Sequence, residues 1–270
     1  MNSEVSAVPS YIQSQTKDAP VCKIVKAKKD LKSPAIYLTV NMYCGTFQFN
    51  QILIPDLNIM PIFAPKIWIP NDPNIKPKPN VSLTFNMSQF DEGMQWLFGR
   101  LYDDLKLSVN TFDDKLIPGL KRSLNQASNN IKYPISKIGP DGTERSDPTV
   151  TFIVDFSQFG QNYPIASLRG QTQSTVLDFD DFTVLNGKKI YSEIKINKDN
   201  IEEVLRNAAV RRMHIAFKQI TLVSGTIYVK FLIRYLHISK QENRTASIGK
   251  NIILGPQSSL DTVEDDTVIE

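Results

Sequence analysis

Six stretches of this chain alternate apolar and polar residues with a period of two, and that pattern commits most of it to β-sheet. They are 35–43 (AIYLTVNMY), 46–53 (TFQFNQIL), 81–87 (VSLTFNM), 149–156 (TVTFIVDF), 212–223 (RMHIAFKQITLV) and 226–239 (TIYVKFLIRYLHIS). Gly45 joins the first two as a hairpin, and Ser224-Gly225 joins the last two as the clearest hairpin in the chain. A weaker strand, 174–182 (STVLDFDDF), precedes a turn at Asn186-Gly187. Helical spacing occurs twice. Phe90, Met94, Leu97, Leu101 and Leu105 form one stripe, widened by Trp96, Phe98 and Tyr102, with Ser88 and Asp91 read as a capping box. Ile201, Val204, Leu205 and Ala208 form a shorter stripe, with Asp199 read as its cap and Glu202 as the partner of that cap. Strands and helices do not alternate, so the expected fold class is β-rich α+β, with two main helices and a small barrel carrying long insertions.

At 270 residues the chain can bury a core of its own. Seven of its sixteen prolines fall at 55, 61, 65, 70, 73, 77 and 79. Proline removes backbone donors, so 55–79 is an irregular excursion or a kinked edge rather than a helix, membrane-spanning or otherwise. The N-terminus shows no apolar run behind a basic start, so no secretory leader is expected. Cys22 and Cys44 lie in no metal-ligand spacing and point to a reducing compartment, which makes the sequons at Asn80, Asn86 and Asn243 chance matches.

Charge is unevenly spread. Thirty-one Lys and Arg face 28 Asp and Glu, but five of the acids, Asp261, Glu264, Asp265, Asp266 and Glu270, lie in 251–270, which holds no cation. Lysines 17, 23, 26, 28, 29 and 32 crowd the other end. The expected organisation is a mobile basic arm over 1–32, a folded domain over 33–240 and a disordered acidic tail over 241–270. A basic body beside an acidic tail suggests an anionic partner. The tail either competes with that partner and docks other proteins, or only keeps the chain soluble.

No Walker, dinucleotide, zincin or nucleophile-elbow motif occurs. His214 and His237, the only histidines, read as partly exposed strand residues. Asp178, Asp180 and Asp181 could attract Mg²⁺, but one short acidic run reads first as surface. No enzyme activity, metal or cofactor is expected. What remains is aromatic residues interleaved with cations on strands, the pattern that binds single-stranded nucleic acid by base stacking and phosphate contact. In the terminal hairpin these are Arg211, Arg212, His214 and Lys218 on one arm and Tyr228, Lys230 and Arg234 on the other, the last three sharing a face by parity. Tyr37 and Tyr43 share a parity and serve as core or as platform; Phe47 and Phe49 read as core. Trp68 beside Lys66 is a further stacking candidate.

The order of segments resembles the single-stranded-DNA-binding proteins of large nucleocytoplasmic DNA viruses, of the African swine fever virus type. The stretches that carry the resemblance are YLTVN (37–41), FQFN (47–50), SLTFN (82–86) running into the helix at 88–107, TVTFIVDF (149–156), LNGKKIYSEI (185–194), KDNIEEVL (198–205) and ITLVSGTIYVKFLI (220–233). The resemblance implies an OB-like antiparallel barrel that binds single-stranded DNA without sequence preference in viral replication and recombination. It also implies replication proteins as partners of the tail, self-association on DNA, no membrane, and a place in the host-cell cytoplasm at the replication site, in the nucleus or in the virion. It supplies no short binding motif, so the site residues rest on strand parity. The alternative is a viral structural or assembly protein that makes interchain contacts through extended termini and the 55–79 excursion.

Overall fold

A computed structural model describes residues 6–16, 19–31, 33–65, 67, 80–139, 142–155, 174–197, 199–206, 208–217 and 219–240. The order begins β1 (Ser6–Ala7), α1 (Pro9–Gln15), β2 (Cys22–Lys29), β3 (Ile36–Cys44), β4 (Phe47–Phe49), β5 (Gln51–Ile54), β6 (Asn80–Asn86), α2 (Glu92–Thr111) and α3 (Leu120–Ala127). It continues with β7 (Ile131–Lys132), β8 (Ile135–Ile138), β9 (Glu144–Asp155), β10 (Thr175–Leu185), β11 (Lys188–Ile194), α4 (Ile201–Arg206), β12 (Ala208–Ala216), β13 (Gln219–Val223), β14 (Thr226–Tyr228) and β15 (Phe231–Lys240). The class is β-rich α+β, as the alternation requires.

The strands form two sheets. The larger runs β1-β5-β12-β15-β10-β11, with β9 also paired to β15 and β6 and β8 paired to β9. The smaller runs β2-β3-β13-β14-β7, with β4 on β3. Both are mixed: β1–β5, β9–β15, β10–β15 and β7–β14 are parallel pairs. Two chain segments pass from one sheet to the other. β4 belongs to the smaller sheet and β5 to the larger, with the bend at Asn50; β12 belongs to the larger and β13 to the smaller, with the bend at Phe217. Ile52 pairs with Ile215, so the two bends lie side by side at one corner.

The predicted helical stripe is the heart of the core. Phe90, Met94, Leu97, Phe98, Leu101 and Leu105 are all buried and pack on Phe85, Phe152 and Phe231. Trp96 is partly buried against the same core. The helix begins later than expected: Asp91, read as the partner of a Ser88 cap, is itself the N-cap and accepts the Met94 N–H at 2.7 Å. Likewise the turn before α4 is organised by Asn197, whose Oδ1 accepts the Asp199 and Asn200 N–H groups at 2.8 and 3.2 Å. Glu202 instead accepts the Ile67 N–H at 2.9 Å, which ties the described end of the proline-rich segment to α4.

Residues 1–32 were expected to form a mobile arm, and the described part of them is built into the fold. Ile12 is fully buried, and β2 pairs along β3 from Cys22↔Met42 to Lys29↔Ile36. The lysine density had hidden a strand in which Cys22, Ile24 and Ala27 point inward. A bulge at Val25 shifts the register between Ile24 and Lys26 and breaks the period-two signature. Asp104 on α2 fixes this strand: its buried carboxylate accepts the Val21 N–H at 2.6 Å and the Arg100 Nε–H at 3.1 Å. The 157–173 stretch, the tail, Lys66, Trp68 and Lys218 lie outside the described residues.

Candidate nucleic-acid interface

In a sheet, residues paired across strands share a face, with Cβ atoms about 4.5–5.5 Å apart. Four pairings line up across five strands of the smaller sheet. Lys28 pairs with Tyr37, Tyr37 with Thr221, Thr221 with Tyr228 and Tyr228 with Lys132. All five side chains lie on the solvent face: Lys28 and Lys132 are exposed, Tyr228 is 44% exposed, and Tyr37 and Thr221 are half-buried. The result is a row of two tyrosines with a lysine at each end.

The face continues along β3. Leu38, Val40, Met42 and Cys44 turn inward at 4% exposure or less, which leaves Tyr37, Thr39, Asn41 and Tyr43 outward. Lys26 pairs with Thr39, Lys23 with Asn41, and Gln48 with Tyr43. Three lysines of β2 therefore flank the aromatic track on one side. The Asn41 amide donates to the Tyr43 hydroxyl at 3.4 Å. Asp30 stands at the end of the track, where its carboxylate accepts the Tyr37 hydroxyl at 3.4 Å; burial, with that carboxylate alongside, raises the Tyr37 phenol above its ordinary pKa. Tyr37 and Tyr43, left between core and platform by the sequence, are both on this outer face. Phe49 is core, but Phe47, also expected to be core, is 70% exposed beside the turn, paired with Cys44.

Arg211, Arg212, His214 and Arg234 are in the larger sheet. The terminal hairpin was read as one continuous surface, and the bends at Phe217 and after Tyr228 divide it between two sheets. Arg211 is engaged: its Nε donates to Ser239 Oγ at 3.0 Å and its Nη1 to Asn58 Oδ1 at 2.7 Å. Lys230 is exposed at the bend, but Arg234 is 6% exposed and does not share its surface. The alternation runs on through the break, but β15 lies in the larger sheet and from Ile233 to Ser239 is covered on both faces. His237 is also buried, at 5%, rather than partly exposed.

Around His237 lies a cluster that sequence reasoning missed. Tyr191 meets its ring edge-on at 4.7 Å between centroids, His214 stacks at 6.2 Å, and Phe179 stacks on Tyr191 at 5.6 Å. Tyr235 lies 5.4 Å from His214. Burial first, then the charge of Arg212 and the neighbouring His214, lower the His237 pKa from 6.5 to about 4. The 174–182 stretch, LNGKKIYSEI (185–194) and the two histidines were each noted in the sequence, but nothing there brought them together. The β10–β11 hairpin turns at Asn186 and Gly187, with φ 51° and 74°, and exposes Val184, Leu185 and Ile190 beside Lys189, whose ammonium lies 4.0 Å from the Phe182 ring centre. Asp178, Asp180 and Asp181 sit on β10. Asp178 accepts the Asp180 N–H at 3.0 Å, and Asp180 accepts the Ser239 hydroxyl at 3.2 Å. Among the described residues no group of three or more His, Cys, Asp or Glu could hold a metal ion, and no helix is long and apolar enough to cross a membrane.

No protein-family model and no curated protein matches the chain. Solved structures similar to it include the single-stranded DNA-binding protein from bacteriophage Enc34 in complex with ssDNA, at 13% identity and a TM-score of 0.35, covering 83% of this chain and 97% of that one. A C-terminal truncation of the same phage protein aligns at 11% identity and a TM-score of 0.34, covering 82% and 96% of the two chains.

Proposed function

We propose that this protein binds single-stranded DNA without reading a defined sequence, through the solvent face of the smaller sheet. The observation that carries the reading is the cross-strand row Lys28–Tyr37–Thr221–Tyr228–Lys132. Every base has a face that can stack on tyrosine, and lysines on both flanks meet the phosphates on either side. Tyr43 and the β2 lysines Lys23 and Lys26 extend the track along β3, and Lys230 adds a cation next to Tyr228. Lys66, Trp68 and Lys218 are further contacts in this proposal.

The role is non-enzymatic protection of single strands during viral DNA replication and recombination, at the replication site in the host cytoplasm or in the nucleus. The acidic tail, through Asp261, Glu264, Asp265 and Asp266, competes with DNA for the basic face and docks replication proteins when DNA displaces it. Fluorescence-anisotropy titration of labelled poly-dT at about 50 and 200 mM salt tests the reading. Tight binding that weakens steeply with salt, and strengthens on truncation after residue 250, is the expected result. Absence of binding at low salt refutes it.

The exposed apolar side chains of the β10–β11 hairpin favour a second reading, an assembly protein making interchain contacts. A defined oligomer in light scattering, formed without nucleic acid by a chain that binds no DNA, would select it.

A further inference from the structure

An edge strand presents a row of unpaired N–H and C=O groups, and folded proteins shorten, bend or cover such edges. Most edges of this protein are treated so. β1, β4, β7 and β8 have two to four residues each. β6 is covered by the proline-rich segment, through the Ile62 N–H donated to the Thr84 carbonyl at 2.8 Å and the Ile67–Val81 bridge. β2 is longer, but the Val25 bulge interrupts it.

β11 is the exception. It ends the larger sheet, has seven residues and, among the described residues, pairs only with β10. The irregularity of that pair lies in β10, where residues 178–181 stand opposite Ser192 alone, so β11 itself runs without a bulge. Lys188, Lys189, Ile190, Ser192 and Glu193 are all exposed. Lysines on an edge ordinarily deter pairing by mutual repulsion. Here Glu193 lies four residues after Lys189 and on the same face of the strand, with Tyr191 midway between them.

We infer that β11 pairs antiparallel with β11 of a second copy of the chain, joining two larger sheets about a two-fold axis centred on Tyr191. Charge selects both the occupant and the register. A two-fold axis normal to the sheet pairs residues that share a face, so it must fall opposite a residue and not between two. Centred on Tyr191, Lys189 faces Glu193 of the second copy, and Glu193 faces the Lys189 of that copy. Centred on Ile190, Lys189 meets only a tyrosine. Centred on Ser192 it meets Lys195, and centred on Lys189 it meets itself. Glu193 Oε2 contacts Lys195 Nζ at 2.8 Å, an exposed pair that leaves Oε1 for the lysine across the axis. On the opposite face Ile190, 50% exposed, stands diagonal to Ile190 of the second copy, within reach of an apolar contact. One strand pair is a small interface, so the dimer is reversible and grows with concentration. The proposed DNA-binding face is on the smaller sheet, and the inference does not depend on it.

Sedimentation of the full chain without nucleic acid, across the micromolar range, should show the mass rising from that of one chain toward that of two. Lys189→Glu and Glu193→Lys should each weaken the dimer about tenfold or more, because both symmetric pairs turn repulsive. The two changes in one chain should restore it. Crosslinking reads the register. Directly paired Cα atoms lie about 4.5–5.5 Å apart, within disulfide reach. Mild oxidation of Ile190→Cys and Ser192→Cys chains mixed together should therefore give more disulfide dimer than either chain alone; the native Cys22 and Cys44 are buried. This second readout decides the matter if circular dichroism shows a charge variant to be misfolded. A chain that stays single across the range overturns the inference. A dimer indifferent to both charge reversals overturns it too, as does a mixed crosslink no stronger than that of either chain alone.

Discussion

Cutting the ring from Tyr228 isolates the stacking contribution of the row. Tyr228 is 44% exposed, so Tyr228→Ala removes little buried surface and the fold is expected to survive. A base stacked on an aromatic side chain is worth about 1–3 kcal/mol, so affinity should fall about 5- to 150-fold. Tyr37 is two strands away, about 10 Å at the ordinary spacing, with only Thr221 between. At that separation the two losses should add, and Tyr37→Ala with Tyr228→Ala should sum to within about 0.5 kcal/mol of the separate effects. Tyr37→Phe and Tyr228→Phe are the controls: they keep the ring and lose only the hydroxyl, which in Tyr37 contacts Asp30, and should retain wild-type affinity. Anisotropy titration with a labelled poly-dT strand reads all of these, with thermal unfolding run alongside. The reasoning is refuted if both alanine variants bind as wild type, which removes the row from the interface. It is equally refuted if the phenylalanine variants lose as much as the alanine ones, since the hydroxyl and not the ring face would then be the contact.

Lys28→Gln and Lys132→Gln should each flatten the slope of log affinity against log salt by about 0.7, the value for one phosphate contact on a single strand; a slope unchanged in both places the phosphates elsewhere. His237 should make stability depend on pH. Its imidazole takes a proton near pH 4 in the fold but near 6.5 in the unfolded chain. Stability is therefore full above about 6.5 and declines as pH falls toward 4, by about 3 kcal/mol in all. Urea midpoints across that range should shift accordingly, and His237→Phe should reduce the shift. Asp104→Ala should destabilise the protein by about 1–3 kcal/mol, because it strands the buried Val21 N–H; an unchanged melting profile would show that water replaces the carboxylate.

Strands with uninterrupted alternation were readable in advance: β3, β9, the β10–β11 turn and the β13–β14 turn all lie where the pattern puts them. So does the α2 stripe, since a helix that feeds one face into a core has to repeat its apolar residues. The misreadings share a physical origin in places where the chain changes direction without changing composition. The Val25 bulge adds one residue to β2 and makes a strand look like a lysine-rich linker. The bend after Tyr228 carries the chain from the smaller sheet to the larger while the alternation runs on, so parity alone put Arg234 beside Tyr228. The outward rows depended on more than parity. Tyr37 and Tyr43 could be assigned to a face by spacing, but the alignment of Tyr37 with Tyr228 needed the register of three strands, and register is a property of pairs. The His237 cluster depends on contacts among β10, β11, β12 and β15, which no local pattern encodes.

The row that faces solvent has its first tyrosine in β3 and its second in β14, joined through β13. During synthesis Tyr37 leaves the ribosome early, but the surface that would hold a strand exists only once residues 219–228 have followed and paired. A nascent or prematurely terminated chain thus carries the lysines of β2 without the aromatic track beside them. If the proposed face binds DNA, such a fragment lacks the completed row, its attraction for nucleic acid is mainly charge and easily displaced by salt, and incomplete products would compete poorly with the finished protein.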